Sequence, residues 1–348
     1  MTNRVFRIRD GEPLLDIVSY GSSALQENSL RLTPEQVRHI RRTVQRAPEV
    51  MVKVLPRASN DLKAVGKHFD YIGRNGEFPL QMDDGEPLEG RLGKAVLDEW
   101  DLDLDDLRRQ GGLAAALGRT PPKLVHKLMF SMPAGTPPDK VLAAVRNFAR
   151  EHFWGQHRYA FVLHTDEDHP HVHLVLRAVS EQGVRLNIKK ATLRHWRSEF
   201  ARNLRLLGVP ANASERAVRG QDRKAKKDGI YRASLRSDST YMRVQAEAVA
   251  SELLKGNIRV DPGKRTLVET RMRVMQGWSR LARALEHRGH LGLAGDVREF
   301  IASMLPPRTD REQVANELSR SIGATRELDR RESRDGRSSL AREDLPDR

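Results

Sequence analysis

Residues 158–179, RYAFVLHTDEDHPHVHLVLRAV, read as two strands folded back on each other. The runs on either side carry the branched and aromatic side chains that suit a pleated sheet, and DEDHP between them has the composition of a turn. The result is an antiparallel hairpin. At its mouth, within ten residues, stand four of the chain's twelve histidines (His164, His169, His171 and His173) and the carboxylates Asp166, Glu167 and Asp168.

Alternate side chains of a strand share a face, so His171 and His173 project together while Val172 points the other way into a core. His164, across the turn, can supply a third imidazole, with His169 as the substitute. Burying neighbouring imidazoles without a metal or carboxylate partners is costly, so the cluster predicts a catalytic divalent ion with a position open to substrate oxygen. The chain has no cysteine, which excludes disulfides and thiolate metal sites. Histidine ligands suit Zn²⁺ by softness, whereas a phosphodiester's oxygens favour Mg²⁺ or Mn²⁺.

Upstream of the hairpin, KLVHKLMFSM (123–132) reads as a further strand, and the Pro/Gly turn after it leads into a helix of about 137–153. Downstream, ATLRHWRSEFARNLRLLG (191–208) is a helix ending at Gly208. Strand, helix, strand, strand, helix in that order implies an α+β fold, an antiparallel sheet with flanking helices, followed by a helical C-terminal extension. Nearer the N-terminus, Thr33, Pro34 and Gln36 form a helix-start signature, and VMVKVLP is a short strand. In SNDLKAVGKHFDYIGRNG, Leu62, Val65, Phe69 and Ile72 recur at helical spacing, with Gly76 as the expected stop. The locally acidic stretch 83–120 reads as one or two inserted surface helices carrying no chemistry.

The expected organisation is therefore an N-terminal extension with a helix (1–48), a central α+β domain (49–210) holding the acidic insertion, a basic arm and helical region (211–325), and a charged tail (326–348) expected to be disordered. The arm begins with Arg216, Arg219, Arg223, Lys224, Lys226, Lys227, Arg232 and Arg236. Over 348 residues the net charge is +14, which points to a polyanionic partner, nucleic acid first. No apolar run approaches the roughly 20 residues of a membrane span, so the chain is expected to be soluble and cytoplasmic without membrane insertion. No phosphate-cradling nucleotide loop is present, so any unwinding must come from another protein.

HTDEDHPHVHLVL closely resembles the third motif of relaxases, the nicking enzymes of conjugative and mobilizable plasmids, above all the T-DNA border endonuclease branch. FDYIGRNG is similar to the family's nucleophile motif and FSMPAGTPPDKV to its second motif, so the resemblance spans about residues 50–220. It implies the His-hydrophobic-His relaxase fold, with His171 and His173 as metal ligands, His164 as the third, and Tyr71 as the nucleophile. Asp166 would orient a histidine or assist proton removal from the tyrosine. Where relatives often carry asparagine, this chain has Arg177, and Ser131 matches the second motif more loosely.

The implied reaction is site- and strand-specific transesterification at an origin of transfer, leaving a 5′-phosphotyrosine adduct that is later rejoined. A phenol, with a pKa near 10, needs help to attack at neutral pH. The reserve nucleophile is Tyr231; Tyr20, Tyr159 and Tyr241 have poorer contexts. Lys67, Arg74, Arg185, Lys189, Lys190, Arg194 and Trp196 are the candidate contacts to single-stranded DNA, as phosphate-binding cations and a stacking ring. Accessory origin-binding proteins and a coupling ATPase are the partners that the resemblance implies. Three other readings stay open at this point: a replication initiator or transposase relative, a mobilization accessory protein with structural zinc, and a hydrolase using activated water.

Overall fold

The computed structural model describes residues 32–321, apart from 56–59, 86, 89, 91, 106–121, 222–229, 231–232, 234–235, 237–238 and 257–258. Tyr20, Tyr231, the charged tail and Arg223, Lys224, Lys226, Lys227 and Arg232 of the basic arm lie outside the described residues. The described chain divides into two compact units, 32–214 and 215–321.

The first unit is built on a six-stranded antiparallel sheet in the order β1-β4-β6-β5-β2-β3, so the fold is α+β as its strand and helix order implies. The strands are β1 (Met51–Val54), β2 (Leu80–Met82), β3 (Pro87–Leu88), β4 (Val125–Ser131), β5 (Tyr159–His164) and β6 (His171–Arg177). The hairpin β5–β6 is in the register His164↔His171 and Val162↔His173, and β6 pairs on its other side with β4 through Ser131↔His171 and Met129↔His173. The histidine hairpin is thus the centre of the sheet.

Each face of the sheet has its own core. Leu128, Phe130, Phe161, Val172, Leu174 and Leu176 pack against Val145 and Phe148 of α4 (Pro138–Phe153) and Trp196, Phe200 and Leu204 of α5 (Lys190–Leu206). On the other face Val125, Ala160, Val162 and Val175 pack beneath Val65, Phe69 and Ile72 of α2 (Leu62–Ile72) and Leu92 and Val96 of α3 (Leu92–Glu99). Directly paired residues of antiparallel strands share a face. His164, His171 and His173 therefore project on the α2 side, beyond the end of this second core. Ahead of β1, α1 (Pro34–Val44) begins with the capping box of Thr33 and Gln36 that its sequence announces.

Two local expectations change. The acidic stretch after residue 83 supplies β3 and α3, and α3 with Trp100 and Leu102 buries apolar side chains over the sheet, so it is part of the core rather than a surface addition. Its exposed acidic residues, Asp98, Glu99, Asp101 and Asp103 among them, mask the buried positions in a composition reading. Helix α2 ends at Gly73 instead of Gly76. Arg74 and Asn75 follow with φ of +50° and +56°, and Gly76 has φ +105°. Only glycine fits at 76, where a Cβ would also lie 3.0 Å from the Gly90 backbone.

The second unit contains α6 (Thr240–Leu254), α7 (Lys264–His287), α8 (Leu291–Ala302) and a helix over 310–321. Trp278, Leu281 and Leu285 of α7 and Val297 and Phe300 of α8 are buried in it. Trp278 Nε1 donates to the Val218 carbonyl at 2.8 Å, and the buried Arg271 donates to the carbonyls of Gly220 and Leu305. No helix among the described residues is long and apolar enough to cross a membrane.

Candidate active site

The three histidines converge because one register fixes all of them. Their ring centroids are 4.8–5.3 Å apart, and one ring nitrogen of each lies within 4.8 Å of the others. All three are buried. His164 is the third member, as opposed to His169, which is exposed and contributes only its backbone carbonyl. That carbonyl lies 3.1 Å from His171 Nδ1, and the Ile72 carbonyl lies 2.7 Å from His164 Nε2. Each contact suits a ring N–H and leaves the other nitrogen with a lone pair, the arrangement of a histidine ligand oriented by a backbone acceptor.

His173 Nδ1 is buried with no hydrogen-bond partner. Burial, reinforced by the neighbouring His164 and His171, pushes this imidazole down to about 3, so it is a neutral base at physiological pH. Burial also lowers His164, against the opposing hydrogen bond to Ile72. Imidazole lone pairs oriented toward one point are what a divalent ion requires. The residues present fit a metal.

Tyr71 stands at the edge of this group. The Ile72 carbonyl that orients His164 belongs to the next residue of α2, so the helix end is tied to the cluster through the backbone. The Tyr71 side chain is 54 % exposed, available to a large substrate. Its ring lies between two neighbours: His68, one turn earlier, with ring centroids 6.4 Å apart and planes 19° from parallel, and Arg74, whose Cζ is 5.2 Å from the ring centroid. The left-handed backbone at Arg74 and Asn75 turns the chain back beside the helix end. Arg74 pairs with Asp166 from the hairpin turn. Slight desolvation opposes ionisation of Asp166, and the Arg74 guanidinium outweighs it, holding the carboxyl below its ordinary range. Asp166 thus reaches the tyrosine through Arg74.

Lys67 is exposed and shares the Tyr71 face of α2 at a spacing of four. The other candidate DNA contacts are elsewhere. Arg185 donates to the Lys123 carbonyl and bridges Val179, at the end of the sheet away from the histidines. Lys189, Lys190 and Arg194 lie at the start of α5, which covers the opposite face. Trp196 is wholly buried against Phe148 and Phe153, so it is corrected from a base-stacking ring to a core residue. Arg177, the departure from the motif, closes the far end of β6 by pairing with Asp105 and Glu181. At about 3.3 Å per residue it is some 13 Å along the strand from His173.

Two residues of the site escaped the sequence reading. His68 also meets His173 edge-on at 6.3 Å, and its spacing of three from Tyr71 was the available signal. Lys127 is a buried lysine on the histidine face of β4, lowered to about 8 by burial; its signal was a charge inside an otherwise apolar strand. A second group that could hold a metal among the described residues, Glu151, His152 and Glu199, already has both carboxylates engaged by Arg202.

Residues 97–205 match the family model for the relaxase nuclease domain of the MobA/VirD2-like type. The match holds His164, Asp166, His171 and His173, while Tyr71 precedes it. The chain is similar to the T-DNA border endonuclease VirD2 of Rhizobium rhizogenes, with 24% identity over 205 residues, 49% of this chain and 42% of the relative. It therefore spans less than half the length of that protein. A chain from the solved structure "Molecular Basis of Vancomycin Resistance Transfer in Staphylococcus aureus" aligns over 48% of this chain and 98% of its own length, with 12% identity and a TM-score of 0.31.

Proposed function

We propose that this protein, whose residues 97–205 match the family model of the MobA/VirD2-like relaxase nuclease domain, nicks one DNA strand at an origin of transfer through Tyr71 and rejoins it later. The observation that carries this reading is the joining of nucleophile and metal-binding group at one point, the Ile72 carbonyl on His164. The Tyr71 oxygen attacks the scissile phosphorus, a new O–P bond forms, and the bond to the 3′ oxygen breaks. The phosphodiester energy stays in a 5′-phosphotyrosine, so reversal needs no nucleotide cofactor. Arg74 sets positive charge against the phenol ring, and Asp166 holds Arg74 there. Lys67, exposed on the Tyr71 face of α2, and Arg74 are the candidates for the phosphates of the bound strand.

His164, His171 and His173 would hold the divalent ion, Mg²⁺ or Mn²⁺ with Zn²⁺ as the alternative. When bound, the ion supplies positive charge to the scissile phosphate oxygens. A structural zinc would have four protein ligands, whereas the group formed by the described residues has three and lies beside an exposed tyrosine, which favours an open, catalytic site. Single-stranded DNA at the origin of transfer is the proposed substrate, with accessory origin-binding proteins and a coupling ATPase as partners in the cytoplasm.

The test is a denaturing gel of labelled single-stranded DNA from the transfer region, incubated with Mg²⁺ or Mn²⁺ and either wild type or Tyr71→Phe. The expected result is a covalent protein–DNA adduct in the wild type alone. Cleavage without an adduct would replace this reading with hydrolysis by activated water.

A further inference from the structure

His68 belongs to neither the metal group nor the nucleophile, yet it touches both. It lies one turn before Tyr71 on α2, its ring within 19° of parallel to the phenol and 6.4 Å from it. Its other neighbour is His173, met edge-on at 6.3 Å. The imidazole is partly buried, and its Nε2 is enclosed without a hydrogen-bond partner. A buried polar atom left unpaired is destabilising, so the residue costs more here than an apolar ring of the same shape would. Nothing in the packing of α2 calls for that cost, because Val65, Phe69 and Ile72 already bury the core face of the helix.

The ring is placed where it controls something else. A half-exposed tyrosine on a helix ordinarily samples several staggered rotamers. Tyr71 has two close neighbours, the Arg74 guanidinium and the His68 ring, and of these His68 is the one that also lies near His173. We propose that His68 is a positioning residue: its ring is the spacer that holds the Tyr71 phenol at a set distance and angle from His173, and so from the phosphate bound at the three histidines. The inference rests on the reading of Tyr71 as nucleophile. A small misplacement of a reacting group costs rate without costing substrate affinity, since the substrate is held by other contacts. His68 contributes shape to this site and Arg74 contributes charge.

The experiment compares wild type, His68→Ala and His68→Phe by single-turnover adduct formation, DNA affinity and Mn²⁺ affinity. The alanine variant is expected to form adduct at least about tenfold more slowly, with both affinities within about twofold of wild type, and phenylalanine is expected to restore most of the rate. An adduct rate in His68→Ala within about twofold of wild type would overturn the proposal. So would a phenylalanine variant no faster than alanine, or a rate loss matched by lost Mn²⁺ affinity, which would mean that His68 acts on His173. A second measurement does not depend on chemistry. With 3-fluorotyrosine at position 71, the ¹⁹F signal is expected to report a restrained ring in wild type and His68→Phe and an averaged one in His68→Ala. An unchanged signal across the three would overturn the spacer role even if Tyr71 proved not to be the nucleophile. Wild type lacking an adduct, with the fluorine signal still responding to His68, would instead reject the nicking reaction and keep the positioning.

Discussion

At the scale of single residues, the site sets buried imidazoles, two of them held well below their ordinary range, beside an arginine paired with a carboxylate. Burial lowers His173 to about 3 and His68 to about 3, in the second case helped by the Lys127 charge. An imidazole that stays unprotonated has its lone pair available to a metal at any physiological pH. Replacing His173 by alanine removes one imidazole of the proposed metal group on the central strand without touching the exposed cations. Cleavage is expected to fall by about 100-fold or more, while DNA binding in a gel-shift stays within a few fold and keeps its salt dependence. Equal loss of binding and cleavage would show that His173 supports the fold alone. The pairing of His171 with His173 was legible from the alternation of a strand. The partnership of Asp166 with Arg74 was not, because 92 residues separate them and only the sheet brings the turn to the helix end.

At the scale of elements, the tyrosine is positioned by how closely α2 and α3 approach. A Cβ added to Gly93 of α3 would sit 2.6 Å from the Gly66 carbonyl oxygen of α2, and Gly93 N–H donates to Asp70 at 2.9 Å. The clash is with backbone, so it cannot be relieved by a rotamer change. Gly93→Ala is expected to destabilise the first unit by roughly 1–3 kcal/mol, as overpacking does, and to slow adduct formation because α2 carries Tyr71 and His68. Denaturant unfolding followed by the gel assay checks both; an unchanged midpoint with full activity would show that the helices part without consequence. The apolar spacing of α2 and the capping box of α1 could be read directly, since both are local. The role of α3 could not, because its buried Leu92 and Val96 are spread through an acidic stretch and find their partners on other strands.

At the scale of the whole molecule, several histidines outside the metal group are also buried. Burial holds His39, His126 and His152 down to about 4, with nearby cations adding to the effect in each. In the unfolded chain a histidine titrates near 6.5, so below that pH the unfolded state binds protons that the folded state refuses. The stability they contribute is full above about pH 6.5 and is lost as pH falls toward 4. The melting temperature is therefore expected to decline steadily between pH 7 and pH 4.5, and a flat profile across that window would mean that these sites open to water at little cost. What the sequence by itself determined is the hairpin, its period-two display of His171 and His173, the amphipathic helix bearing Tyr71, and a basic charge balance suited to a polyanion. These depend on spacing along one segment, and backbone geometry converts spacing into direction. Only the tertiary structure decided that His164 joins the pair, that Arg74 leans on Asp166, that His68 fills the space beside Tyr71, and that Trp196 belongs to the core. The Arg74–Asp166 pair and the packing of Trp196 are contacts between segments whose approach is set by strand register and helix packing, while His164 and His68 needed the exact register and rotamer that spacing alone leaves open.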